Sequence, residues 1–166
     1  FATADFVLWP HFSQMILVIL MFCGACAGST GGGIKCSRVV MLLRSIRREL
    51  HRIAHPRSVE VVRLDGKPVD ESTLHSVLVF IGFYILIILT AALVVSLDNV
   101  PFDVSFSAAL TCVSNVGPGL ATIGPSGNFA AFSPLSKVVL SLCMIIGRLE
   151  IFPILVLFSR HTWRRN

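Results

Sequence analysis

A ten-residue stretch, residues 114–123, has the composition of a backbone ion-binding loop. It reads Ser-Asn-Val-Gly-Pro-Gly-Leu-Ala-Thr-Ile and lies between two long apolar segments. Its glycines and proline make it a poor helix. Non-helical backbone at membrane depth is tolerated only where it is buried in protein or lines a water-filled path. A glycine-bearing loop there can turn its carbonyl oxygens toward a pore axis, where they replace the water shell of a passing cation.

The composition places this loop in a membrane protein. Mean hydropathy is +0.80, and only 14% of residues are charged, against about 25% in a soluble domain. Residues 6–34 and 72–97 contain no Asp, Glu, Lys or Arg, and residues 138–159 contain only Arg148 and Glu150. Because a helix needs about 20 apolar residues to cross the hydrocarbon, we predict three crossings.

The basic residues predict the orientation of these crossings. Nine of the 14 Lys and Arg residues fall within residues 35–67, three lie near the C-terminus, and none occurs in residues 68–136. The positive-inside rule then places residues 35–67 and the C-terminus in the cytoplasm, and residues 99–133 outside. A basic loop between spans needs no nucleic acid to explain it. No basic segment precedes the first apolar run, so we expect no signal peptide, and the chain reads as a piece of a longer protein.

A short helix is predicted to support the loop. Residues 102–111 are apolar but too few to cross a bilayer, which fits a pore helix that dips in from outside. We therefore predict a span over 72–97, a pore helix over 102–113, a filter over 114–119 and a span over 133–161. Gly117 is free to adopt a positive φ, and Val116 is expected to pack against the pore helix. An ordinary extracellular turn is the alternative interpretation.

A glycine-rich segment, residues 24–33, is predicted to break the first span. It holds five glycines in ten residues, each costing a helix about 1 kcal/mol relative to alanine. A second helix is predicted over 34–53, followed by a polar linker, residues 55–71, that contains a turn at Asp65-Gly66. The segment does not fit a phosphate-binding loop, because Ile34 separates the glycines from Lys35 and no strand precedes them.

Arg148 is the most costly residue in a span, since a charge at mid-membrane requires a partner or water. Glu150 is two positions away and points elsewhere on a helix. We expect Arg148 to donate to backbone carbonyls of the glycine-broken segment and to hold it across the path beneath the loop. A packing role within the helix bundle is the alternative.

An internal repeat supports this architecture. Phe1-Ala2-Thr3 matches Leu120-Ala121-Thr122, and after a four-residue difference in loop length Gly24 aligns with Gly147. Residues 1–54 are therefore predicted to end one span–pore-loop–span unit, and residues 72–166 to form a complete second one. The fold class is an all-α membrane protein, and repeats of this kind are common in transport proteins.

Four motifs together resemble the Trk/Ktr/HKT superfamily of potassium transporters, most closely its TrkH branch. They are Phe1-Ala2-Thr3-Ala4-Asp5 with Trp9-Pro10, the stretch from Ala27 through residues 28–33 to Lys35, residues 111–120, and Gly147-Arg148-Leu149-Glu150-Ile151-Phe152-Pro153. The family has four span–pore–span repeats around one K⁺-channel-like pore, so the resemblance implies a C-terminal fragment: half of repeat three and all of repeat four.

The resemblance also implies roles for particular residues. Backbone carbonyls of Asn115 and Val116 would bind K⁺, with Ser114 and Gly117 as neighbours, and Arg148 would be the latch of a gating loop. That loop would comprise Gly28, Ser29, Thr30, Gly31, Gly32 and Gly33. The resemblance further implies a multi-pass protein of the bacterial cytoplasmic membrane that forms a homodimer and docks a TrkA-like nucleotide-binding regulatory subunit.

Three function classes follow from these observations. The first is K⁺ uptake, with K⁺ the only ligand and no organic cofactor. A related Na⁺/K⁺ transporter and a non-conducting membrane scaffold remain as alternatives, because selectivity and coupling to H⁺ or Na⁺ depend on the whole pore. An enzyme is not expected, since the spans hold no paired acid and base, and the five histidines have no metal-ligand spacing.

Overall fold

The computed structural model describes residues 5–24, 26, 32–55, 61–64 and 66–149. The regular elements of this part are five helices and one two-stranded hairpin: α1 His11–Phe22, α2 Cys36–Ala54, β1 Arg63–Leu64, β2 Lys67–Pro68, α3 Glu71–Val95, α4 Phe102–Ser114 and α5 Pro134–Arg148. Short 3₁₀ turns lie at Phe6–Leu8, Ser96–Asp98 and Ala121–Ile123.

The short helix α4 is the centre of the fold. It contacts α1, α3 and α5, and ten of its 13 residues are buried. A helix thus forms where we predicted a pore helix, and it includes Ser114, one residue more than predicted. Thirteen residues give a length of about 20 Å, so α4 enters the protein without crossing a membrane.

The helix α3 has the length and composition of a membrane span. With its following 3₁₀ turn it covers Glu71–Asp98, 28 residues, and among the described residues it alone meets both criteria. Tyr84, Ile88 and Val95 lie on the face buried against α4, at helical spacing, whereas Leu86 and Leu93 on the opposite face are exposed. The predicted last span, residues 133–161, is described only as far as Leu149.

The first predicted span is interrupted, and its two halves are joined at the break. α1 ends at Phe22 and α2 begins at Cys36. The Gly24 N–H donates to the Ile34 carbonyl at 2.8 Å, and the Ile34 N–H donates to the Phe22 carbonyl at 3.3 Å. The two ends of the intervening segment therefore lie side by side. Residues 25 and 27–31 of that segment lie outside the described part of the chain.

The linker between α2 and α3 forms the small hairpin that Asp65-Gly66 indicates. β1 pairs antiparallel with β2, with Leu64 opposite Lys67, and Gly66 takes a positive φ of 78° in the turn. Val62 anchors the hairpin because it is buried with Met41 of α2 and Leu74 of α3.

Candidate ion-binding loop

The chain leaves α4 through a left-handed turn that ends the helix. Asn115 has φ 55° and ψ 39°, a conformation that asparagine tolerates better than most residues. The N–H groups of Asn115 and Val116 donate to the carbonyls of Cys112 at 3.3 Å and Thr111 at 3.0 Å. Gly117 follows with φ 112°, as its glycine predicted. The chain reverses direction here and returns along α4.

Two hydroxyl groups on α4 hold the returning strand. Thr111 Oγ1 accepts the Gly117 N–H at 2.9 Å and donates to the Pro118 carbonyl at 3.1 Å. Ser107 Oγ accepts the Leu120 N–H at 3.1 Å. Because Ser107 and Thr111 are four residues apart, they lie on one face of the helix. The returning segment, residues 117–120, belongs to no sheet, so these two hydroxyls supply hydrogen bonds to its backbone.

Three carbonyl oxygens of the loop differ from that of Pro118 in having no hydrogen-bond donor among the described residues. Within the described residues, the carbonyls of Asn115, Val116 and Gly117 accept no hydrogen bond. Three consecutive carbonyl oxygens in a loop of fixed conformation can coordinate a dehydrated cation, because they replace the water oxygens that the cation has lost. Next to them lies a cavity of about 490 Å³ whose wall includes Val116, Gly117 and Pro118.

The side chain of Val116 is not where the sequence suggested. We expected it to pack against the pore helix and stiffen the loop, but it is 47% exposed. Val116 instead lines an apolar cavity with Leu17 and Met21 of α1. The loop is held by the hydroxyl of Thr111, a polar contact, rather than by apolar packing.

Two further hydrogen bonds connect Ser114 and Asn115, the inner end of the loop, to α3 and α5. The buried hydroxyls of Tyr84 and Ser114 are 2.7 Å apart, and Asn115 Nδ2 donates to the Met144 carbonyl at 3.1 Å. The Ser114 side chain is therefore directed toward α3. Of the four predicted binding residues, Asn115, Val116 and Gly117 lie in the loop, and Ser114 is the last residue of α4.

Glycines let two other segments touch the inner end of the loop. A Cβ atom on Gly32 would lie 2.7 Å from the Ser114 carbonyl oxygen, and one on Gly147 would collide with the Val113 carbonyl oxygen and lie 2.8 Å from Asn115 Nδ2. The end of the broken segment and the end of α5 therefore meet directly beneath the loop. Gly33 is adjacent, since its Cβ would lie 3.6 Å from Ser114 Cβ.

Arg148 is the last residue of α5 and is exposed. Its neighbour Gly147 contacts Val113 and Asn115, so the α5 backbone at Arg148 is close to the inner end of the loop. Gly28, Ser29, Thr30 and Gly31 lie outside the described residues, as does Glu150. The expected contact between Arg148 and the gating loop thus stays a prediction.

Three residues that position the loop were missed by the sequence reasoning. They are Thr111 and Ser107, which hold the returning strand, and Tyr84, which holds Ser114. A signal for the first two was present: hydroxyl side chains four residues apart on one face of a short apolar helix that leads into a loop. Nothing in the sequence around Tyr84 pairs it with a serine 30 residues later.

Comparisons with known proteins identify the family and the fold. Residues 1–164 match the TrkH family, described as a cation transport protein. The chain belongs to the TrkH family. The structure is similar to the crystal structure of the potassium transporter TrkH from Vibrio parahaemolyticus, with a TM-score of 0.85 and 34% identity, over 99% of this chain and 35% of that one. The resemblance drawn from the motifs and the all-helical membrane fold are therefore confirmed.

Two curated relatives are also similar over nearly the whole of this chain. The potassium uptake protein TrkH of Salmonella typhimurium is 36% identical over 164 residues, and TrkI of Halomonas elongata is 37% identical over 166 residues. Each alignment covers 99% of this chain and 34% of the relative. The chain thus spans about a third of the length of these TrkH-family proteins.

Proposed function

We propose that this chain supplies one ion-binding loop and one gate segment to a pore that takes K⁺ into a bacterial cell. The observation that carries the proposal is that the carbonyls of Asn115, Val116 and Gly117 accept no hydrogen bond from any described residue, in a loop that Thr111 holds. The solved and curated relatives are named as potassium transport or uptake proteins. A single loop cannot surround an ion, so the remaining loops come from the rest of the full-length protein.

In this proposal the carbonyls of Asn115 and Val116 coordinate K⁺. Ser114 and Gly117 flank them: the Ser114 hydroxyl anchors the inner end through Tyr84, and Gly117 makes the positive φ turn. Asn115 donates its amide to Met144, which leaves selectivity to backbone dipoles rather than to a charged side chain.

The gate in this proposal is the segment of residues 28–33, and Arg148 is its latch. Support comes from the end of that segment, because Gly32 lies against Ser114 and Asn115 at the inner end of the loop. An ion leaving the loop toward the cytoplasm would meet this segment next. A guanidinium at Arg148 can hold several carbonyls of an irregular strand at once, since it carries five N–H donors.

The location and partners follow from the charge pattern and from the family. The proposed location is the bacterial cytoplasmic membrane, as part of a multi-pass protein whose basic residues 35–67 face the cytoplasm. The proposed assembly is a homodimer with a TrkA-like nucleotide-binding subunit on that face.

The test uses the full-length protein in a bacterium that lacks K⁺ uptake, grown at low external K⁺. Gly117→Asp should abolish growth and uptake at an unchanged membrane level, because it strains the turn and adds a charge beside the carbonyls. Gly66→Asp is the matched control: that glycine also has a positive φ, and an added Cβ there, as at Gly117, meets no atom within 4 Å, but it lies in the hairpin turn rather than beside the loop carbonyls. Arg148→Ala should raise the flux by loosening the gate.

Two results would contradict the proposal. Wild-type uptake in Gly117→Asp would remove the loop from the ion path, and wild-type uptake in Arg148→Ala would remove the latch. Failure of the unmutated protein to restore growth would favour the non-conducting scaffold instead.

A further inference from the structure

A third cavity lies away from the loop, between α2 and the hairpin. Its volume is about 300 Å³, and its lining includes Arg44, Arg47, Arg48, Val61, Val62 and Arg63. Four arginines around one cavity suit a phosphate group, because the planar guanidinium binds phosphate oxygens through paired hydrogen bonds. The residues that line this cavity do not belong to the ion-binding loop.

The positive charge of the cavity is only partly neutralised. Arg48 binds both carboxylate oxygens of Glu71 and one of Glu49, and this pairing raises the pKa of the Arg48 guanidinium. Arg44 donates one N–H to the Arg63 carbonyl. In the described part of the chain, the side chains of Arg47 and Arg63 have no hydrogen bond or ion pair. At least these two guanidinium groups keep all their donors for a ligand.

Packing and hydrogen bonds fix the wall of the cavity in place. Val62 is 5% exposed and packs with Met41, Leu74 and Val77, and its carbonyl accepts the Val69 N–H at 2.9 Å. The bond from Arg44 to the hairpin backbone crosses from α2. The arginines are thus presented at set positions, which lowers the entropy cost of binding.

The cavity lies at the end of α3 that we propose to face the cytoplasm. Glu71, the partner of Arg48, is the first residue of α3, and α3 is the described helix that is long enough to cross. The headgroups of the inner leaflet are at this level. Anionic headgroups there attract basic segments that lie close to the span.

An apolar stripe runs along α2 beside the basic face. Leu43, Ile46, Leu50 and Ile53 are 60%, 48%, 63% and 77% exposed, and their spacing of three and four residues places them on one side of the helix. A helix with a basic face and such a stripe suits the boundary between headgroups and acyl chains. A soluble phosphate would make no use of the stripe.

We propose that the arginine cavity binds the phosphate of an anionic phospholipid of the inner leaflet, whose acyl chains lie along the Leu43–Ile53 side of α2. Arg47 and Arg63 bind the phosphate oxygens, and Arg44 together with the Arg48–Glu71 pair forms the floor. The inference is independent of K⁺ conduction, since it concerns another end of the molecule.

The test is a titration of the full-length detergent-purified protein with phosphatidylglycerol and with phosphatidylcholine of the same chains, followed by native mass spectrometry. The unmutated protein should bind phosphatidylglycerol more tightly. Arg47→Gln should weaken that binding about fivefold and Arg47→Gln/Arg63→Gln about 30-fold, equivalent to about 2 kcal/mol. Arg52→Gln is the matched control, because Arg52 is an exposed arginine of α2 that pairs with Glu49; it should change binding less than twofold.

The other arms separate the alternatives. If inorganic phosphate at millimolar concentration binds alone as tightly as the lipid and displaces it, the ligand is a free phosphate and the lipid proposal fails. If the double variant keeps phosphatidylglycerol but loses a cytoplasmic partner protein, the cavity recognises an acidic protein surface instead. Equal binding of both lipids would also overturn the proposal.

Discussion

Replacing Thr111 with valine should impair ion selection without unfolding the protein. Valine has nearly the shape of threonine, so the fully buried site stays filled, but the hydroxyl is lost. That hydroxyl makes two bonds, one with the Gly117 N–H at 2.9 Å and one with the Pro118 carbonyl at 3.1 Å. Both bonds hold the segment whose carbonyls we propose to bind K⁺.

The size of the effect follows from these two bonds. A hydrogen bond within a protein contributes about 1 kcal/mol net, and a buried group left without a partner costs more. Thr111→Val therefore disfavours the held loop by about 2 kcal/mol, which shifts its population against alternative conformations by about 30-fold. The other buried residues of α4 are unchanged, so the helix should remain in place.

The assay compares K⁺ and Na⁺ uptake by the full-length protein in proteoliposomes. Thr111→Val should reduce the ratio of K⁺ to Na⁺ uptake, by up to about 30-fold, and Thr111→Ser should restore most of it because the hydroxyl returns. Thr90→Val is the matched control: that threonine is exposed on α3, and its hydroxyl bonds only to carbonyls of its own helix.

Wild-type selectivity in Thr111→Val would refute the reasoning. It would mean that the loop is held by other contacts, or that its carbonyls do not select the ion. An equal loss of K⁺ over Na⁺ selectivity in Thr90→Val would show that the effect comes from removing a threonine hydroxyl anywhere in the helices, not from the contacts of Thr111.

Two further substitutions test how the loop is seated. Tyr84→Phe removes the 2.7 Å hydrogen bond to Ser114 and should lower the thermal unfolding temperature of the purified full-length protein, at a cost of about 1 kcal/mol; no change would show that Ser114 is satisfied elsewhere. Gly147→Ala places a methyl group against the Val113 carbonyl and should cost about 1–3 kcal/mol by overpacking, with lower K⁺ uptake. Gly82→Ala on α3, where an added methyl meets nothing within 4 Å, should retain wild-type uptake, and equal behaviour of the two alanine variants would argue against close contact at Gly147.

The order of the helices could be predicted from the sequence because it rests on local properties. Uncharged runs, a short apolar segment before a glycine loop and a glycine cluster that breaks a span are all visible along the chain. The helix ends differ from the predicted ones by a residue or two at most positions, as at Ser114. The positive φ of Gly117 was also predictable, since it depends only on the absence of a side chain at that residue.

The contacts that seat the loop could not be predicted, because they join residues distant in sequence. The Tyr84–Ser114 bond spans 30 residues and the bond from Asn115 to Met144 spans 29. Val116 shows the same limit: its apolar side chain suggests burial, but it follows the turn at Asn115 and is 47% exposed.

By itself, then, the sequence determined the membrane class, the order of the elements and the family, since hydropathy, glycine content and motif spacing are properties of consecutive residues. Only the tertiary structure decided which groups hold the loop and which carbonyls remain open. It also gathered arginines of α2 and of the hairpin around one cavity. Such groupings depend on how helices pack, and packing is a property of the assembled surfaces rather than of any one segment.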